Sequence, residues 1–141
     1  METDEAIARL RRGYESFNRG DLEAVLEELD PEIDIEERAD SPDPRRASGR
    51  DQALAAFRSL REDFDDYHFE PHEFHVEGDH IVVVARQSAT GRLSGVPVEG
   101  EIVHAWLIED DRVAGLRAFS TLEEALEAIR ADAGQTSPSS A

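Results

Sequence analysis

The chain has 141 residues, 39% of them hydrophobic, which fits one domain with its own core and excludes wholesale disorder. Its formal net charge is −18, with 33 acidic side chains against 15 basic ones, all arginine; such a surface repels phosphate backbones and anionic lipids, so neither nucleic acid nor membrane is an expected partner. There is no cysteine, which excludes disulfides, thiolate catalysis and thiolate metal sites, and no apolar run approaches the ~20 residues of a membrane span.

METDEAIARLRR lacks the apolar core of a signal peptide, and a cytoplasmic protein is expected. Ile7, Leu10, Tyr14 and Phe17 recur at helical spacing, which predicts a helix over 3–18 with Thr3 or Asp4 as its cap. NRGD at 18–21 breaks it, and Leu22, Val25, Leu26 and Leu29 mark a second short helix that ends before Pro31. PEIDIEERAD then alternates. Ile33 and Ile35 point one way, Asp34 and Glu36 the other, as in a half-buried strand over 33–37. The same period sends Glu37 to the isoleucine side, where an uncompensated carboxylate is costly. Either Glu37 is a functional acid, or the strand ends at Glu36 and leaves it solvated or paired with Arg38 or Arg50. RADSPDPRRASG reads as a polar loop, and Ala53, Leu54, Phe57, Leu60 and Phe64 as a third amphipathic helix over 50–64.

The second half changes period. YHFEPHEFHVEG is a predicted strand with an interruption at Pro71, HIVVVARQSA a β-branched strand, and TGRLSG a turn. EGEIVHAWLI and RVAGLRAFS are two further strands joined by the EDD turn. STLEEALEAIRA closes the chain as a helix, with Thr121 and Glu124 as a capping box and Leu122, Ala125 and Ile129 as the buried face. GQTSPSSA reads as a frayed end, which gives a domain over 1–131 and a flexible tail over 132–141. Two helices, a strand, a helix, four strands and a helix predict an α+β fold. Its last four strands pair as an antiparallel meander, and helices across the concave side of a curved sheet leave a cone-shaped cavity.

In HFEPHEFH, His68 and His72 share one strand face, about 13 Å apart, and His75 takes the other, so they do not converge on an ion and no metal is expected. No phosphate loop, nucleophile elbow or dinucleotide fingerprint is present.

FNRGDLEAVLEELDPEIDIEE, GRDQALAAF and RQSATGRLSGVPVEGEIVHAWLIEDDRVAGLRAFSTLEEALEA resemble, in that order, the nuclear-transport-factor-2-like superfamily, in particular its SnoaL-like and ketosteroid-isomerase-like branch, over residues 3–131. The resemblance implies a cystatin-like α+β cone with an internal pocket and a small, largely apolar organic ligand, with no cofactor expected. Both faces of EGEIVHAWLI are largely apolar, His104 and Trp106 on one and Val103, Ala105 and Leu107 on the other, which suggests a cavity on one side and a homodimer interface on the outer side of the sheet. Isomerases, cyclases, dehydratases, epoxide hydrolases and non-enzymatic carriers all use this scaffold. Carried over by position, the ketosteroid-isomerase aspartate base falls at Glu37, and its protonated aspartic acid on the penultimate strand falls at His104. Its helix-one tyrosine falls at Gly13, with Tyr14 one residue, about 100°, further round.

The resulting candidates are Glu37 as general base, its pKa raised by desolvation, and His104, helped by Tyr14, as oxyanion donor or proton relay. A satisfied structural histidine and a core tyrosine are the alternatives. Ile35, Phe57, Trp106 and Leu116 are expected to line the pocket, with Arg117 outward. Arg86 has two orientations open: inward, holding Glu37 ionised or binding a ligand carboxylate, or outward to solvent. The expected chemistry is cofactor-free isomerisation, cyclisation or dehydration. A non-catalytic ligand-binding module is the alternative, and an epoxide hydrolase a third reading, for which the Asp–Arg–Asp constellation cannot be assembled from this sequence.

Overall fold

Ala6, Leu10, Tyr14 and Phe17 form the buried stripe of the first helix, α1 (Thr3–Arg19), which opens the described part of the chain. The computed structural model describes residues 2–37 and 45–136. Helix α1 starts after Glu2 with no side-chain cap, so neither Thr3 nor Asp4 serves as one. It stops at Gly20, whose φ of 83° is open to glycine at no steric cost and whose N–H caps carbonyls of the last turn. Asp21 caps α2 (Leu22–Glu27) by accepting the Ala24 N–H.

Leu29, expected in that helix, instead begins β1 (Leu29–Glu37). After it, β2 (Arg45–Ser48) occupies part of the predicted loop; residues 38–44 of that loop lie outside the described residues. Helix α3 (Gly49–Asp63) leads into β3 (Phe64–Glu77), β4 (His80–Gly91), β5 (Pro97–Glu109) and β6 (Arg112–Phe119), and α4 (Leu122–Thr136) follows. Thr121 Oγ1 accepts the Glu124 N–H at the start of α4, as its sequence predicts. The helix runs beyond the expected boundary at 131 as far as Thr136, and the remaining tail lies outside the described residues.

The six strands form one sheet in the order β2-β1-β6-β5-β4-β3. Among the described residues only β1 and β6 pair in parallel; the last four strands form the predicted antiparallel meander. Bulges interrupt β3 between Asp65 and His68 and between Pro71 and Glu73, the second at the predicted proline, and they bend the edge of the sheet. Gly115 lets β6 fit between its neighbours. A Cβ there would stand 3.3 Å from the Leu107 Cβ and 3.6 Å from the Asp34 carbonyl oxygen.

Both faces of the central strands are buried. Ile81, Val83, Trp106, Leu116 and Val113 join α1 and Ile33, Ile35 and Ala53 in the larger core. On the opposite side Val82, Val84, Val103, Ala105 and Phe119 pack with Ala125 and Ile129 of α4. The outward apolar residues that suggested a subunit interface are thus covered, at these positions, by the chain's own last helix. Among the described residues no helix is long and apolar enough to cross a membrane.

Candidate functional site

Between the helices and the concave side of the sheet lies a cavity of about 440 Å³. Its walls are mostly apolar, with Leu10, Phe17, Ile35, Phe57, Trp106 and Leu116 among the lining residues. The parity of β5 makes this arrangement. His104 sits opposite Val83 on one side and Ala118 on the other, and Trp106 opposite Ile81 and Leu116, so both side chains face inward.

From across the cavity, α1 brings Tyr14 to them. The Trp106 Nε1–H donates to the Tyr14 hydroxyl at 3.0 Å, and that hydroxyl lies 2.7 Å from His104 Nδ1. Tyr14 is 5% exposed and His104 7%. Two arrangements of protons fit this chain. If Tyr14 donates to Nδ1, only the Nε2–H of His104 is left without a partner among the described residues. If Nδ1–H donates to Tyr14 instead, both the phenol proton and the Nε2 lone pair are left without one. An unpaired polar group in an apolar cavity is costly, so the first arrangement prevails and sets His104 as its Nε2–H tautomer.

Burial pushes the His104 pKa down to about 4, so the imidazole is neutral at pH 7. Burial raises the Tyr14 pKa above its ordinary value, offset in part by the Trp106 hydrogen bond, and its phenol keeps its proton. Tyr14 and His104 are therefore two neutral hydrogen-bonding groups; the charged residues that line the same cavity are Arg9, Glu28, Glu37 and Glu101. Phe69 stacks edge-on to both rings, 5.1 Å from His104 and 6.2 Å from Tyr14. It is held there by Asn18, whose amide accepts the Phe69 N–H at 2.9 Å and donates to its carbonyl at 2.8 Å.

A model of the SnoaL-like domain matches residues 10–116. The chain belongs to the SnoaL-like family. Solved structures similar to this SnoaL-like domain include an NTF2-like protein from Burkholderia thailandensis E264, at 25% identity and TM-score 0.73, covering 90% of this chain and 98% of that one. Another NTF2-like protein, from Burkholderia pseudomallei K96243, matches at 24% identity and TM-score 0.72 over 88% and 96% of the two chains. A putative SnoaL-like polyketide cyclase from Jannaschia sp. CCS1 matches at 22% identity and TM-score 0.73 over 89% and 92%. No curated protein matches the chain.

Within the SnoaL-like domain the structure brings Glu37, His104, Tyr14, Ile35, Trp106, Phe57 and Leu116 to the one cavity. Glu37 is the last residue of β1 and half-buried, with Ile33 and Ile35 fully enclosed behind it. It has no ion-pair partner among the described residues; Arg50, a partner considered from the sequence, donates instead to the Leu29 carbonyl. Arg86, expected among the ligand-binding candidates if inward, takes the outward alternative: it shares the parity of Val82 and Val84, pairs with Glu99 and does not line the cavity. Arg117 points outward too, bound to Asp132 at 2.9 Å.

The Pro71–Glu73 bulge also alters the histidine geometry. His72 and His75 both reach Glu73, at 3.6 and 3.1 Å, on the exposed edge. Among the described residues no group of three or more metal-ligating side chains converges. The sequence reading missed Phe69, Tyr67 and Gln87, the charged lining residues Arg9, Glu28 and Glu101, and Asn18, which holds Phe69 in place. Tyr67 O–H donates to Gln87 Oε1 at 2.8 Å, and both line the cavity.

Proposed function

We propose that this SnoaL-like domain binds a small, largely apolar molecule with a carbonyl group and acts on it by acid–base chemistry without a cofactor. The observation that carries the reading is the Trp106–Tyr14–His104 chain of hydrogen bonds, whose far end, His104 Nε2, has no partner among the described residues and lies in a mostly apolar cavity that Glu37 also lines. Glu37 takes a proton from the carbon next to the carbonyl. The C–H electron pair moves into the new C=C bond, and the carbonyl π pair moves onto oxygen. The Nε2–H of His104 donates a hydrogen bond to that oxygen as charge develops. A neutral imidazole suits this role, because it stabilises the enolate without protonating it. Return of the proton to another carbon gives isomerisation, attack of the enolate on a second carbonyl gives cyclisation, and loss of a β-hydroxyl gives dehydration. The Jannaschia neighbour is described as a putative polyketide cyclase, a likeness that carries the fold alone.

The test needs no natural substrate. Deuterium exchange at the α-carbon of 2-tetralone, followed by NMR in D2O, is expected to be faster with the protein than in buffer. Glu37→Gln should slow the catalysed exchange by ~10²- to 10⁴-fold and His104→Phe by ~10²- to 10³-fold. Exchange at the buffer rate while 2-tetralone binds would replace catalysis by the second reading, a carrier. The half-exposed setting of Glu37, in contact with solvent, is the observation that favours that reading.

A further inference from the structure

The cavity has a second polar pole that the proposed reaction does not use. Gln87 lies on β4 four residues beyond Val83, the residue opposite His104, so its backbone sits about 13 Å along the strand from that point. Between the poles the wall is apolar. Ala85 and Ile102 pair across the strands, and the Phe69 ring stands 5.1 Å from Tyr67 on one side and 5.1 Å from His104 on the other. The Tyr67 hydroxyl donates to the Gln87 amide oxygen and so anchors the amide. Its NH2 donors have no protein partner among the described residues. Glu37 stands within electrostatic reach. Burial first, and the Glu37 charge second, raise the Tyr67 pKa above its ordinary value.

We propose that Gln87, positioned by Tyr67, is a second binding subsite that takes a neutral oxygen function at the far end of the substrate from the carbonyl held by His104. The inference rests on the reading above and narrows its substrate class. The molecule is elongated and apolar in the middle, with an oxygen at each end. A free amide N–H calls for an acceptor such as a hydroxyl or carbonyl oxygen. The Glu37 charge, which also acts on Tyr67, disfavours a carboxylate there.

Three matched probes test this by isothermal titration calorimetry on the intact protein: 2-acetylnaphthalene, its 6-hydroxy derivative, and 6-acetyl-2-naphthoic acid. The 6-hydroxy ketone should bind about tenfold more tightly than the parent, and the acid more weakly than the parent. In Gln87→Leu the ratio between hydroxy and parent ketone should fall to near one. In Tyr67→Phe, which leaves the amide in place without its anchor, the ratio should fall part of the way; thermal melts establish that each variant is folded. Equal affinity of wild-type protein for the two ketones, or an unchanged ratio in both variants, overturns the subsite while leaving the His104 pole intact. If 2-acetylnaphthalene itself does not bind the wild-type protein, the functional reading fails and the subsite falls with it.

Discussion

His104 is a group that titrates near neutrality in water, placed among Tyr14, Phe69 and Trp106 where charge is poorly solvated. Its pKa is pushed down to about 4 from 6.5, so between those pH values the unfolded chain binds more protons than the folded one. Stability is therefore whole above pH 6.5 and declines as pH falls through the window, by about 3 kcal/mol in all. Imidazole 15N NMR should give a midpoint near 4 with Nε2 protonated at pH 7. Urea unfolding of His104→Asn should show a shallower loss between pH 6.5 and 4 than the wild type; a midpoint near 6.5 would refute desolvation as the cause. Alternation along IVHAW puts His104 and Trp106 on one face, but both faces of that strand are largely apolar, so it was the family resemblance and not the period that turned them inward. For Arg86 parity left two choices, and only the register with β5 decides between them. Gln87 shares the parity of Val83, yet a lone glutamine carries no chemical signature until Tyr67 stands beside it. Tyr67 lies beyond a bulge, where counting in twos from Phe74 fails.

Asn18 joins two elements that are distant in sequence. Sitting near the end of α1, it clamps both backbone polar groups of Phe69 and so sets how closely β3 approaches the helix. Asn18→Ala is expected to destabilise the protein by about 2 kcal/mol, since it leaves two part-buried backbone groups unpaired, with the loss read from urea unfolding. A change below about 0.5 kcal/mol would mean that water replaces the clamp. The NRGD string announces a helix break but not this pairing, because the partner is 51 residues away. Elements with strong periodicity, α1, α3 and the last four strands, were legible close to their ends. β2 was not: RRAS is a short, polar edge strand, whose pairing comes from β1 and not from an apolar face of its own. Leu29 likewise reads as helix by spacing, and its place is set by pairing with Val113.

The whole molecule carries a charge of −18 at pH 7. Self-repulsion of that size is relieved on expansion, so screening should favour the folded state. The melting temperature is expected to rise by on the order of 5 °C between low and ~1 M sodium chloride, followed by circular dichroism; a fall over that range would show that attractive ion pairs outweigh the repulsion. The two cores divide the work of the sheet. A hollow on the concave side forgoes packing contacts, and the convex side, solid against α4, supplies them. Val82 and Val84 alternate on one strand with Val83, and Val103 and Ala105 alternate with His104 and Trp106. A replacement that reshapes the hollow consequently leaves the reverse of the same strand anchored. The sheet works as a partition with one permanent surface and one interchangeable surface, and new ligand preferences can be written on the second, one side chain at a time, without the partition coming down.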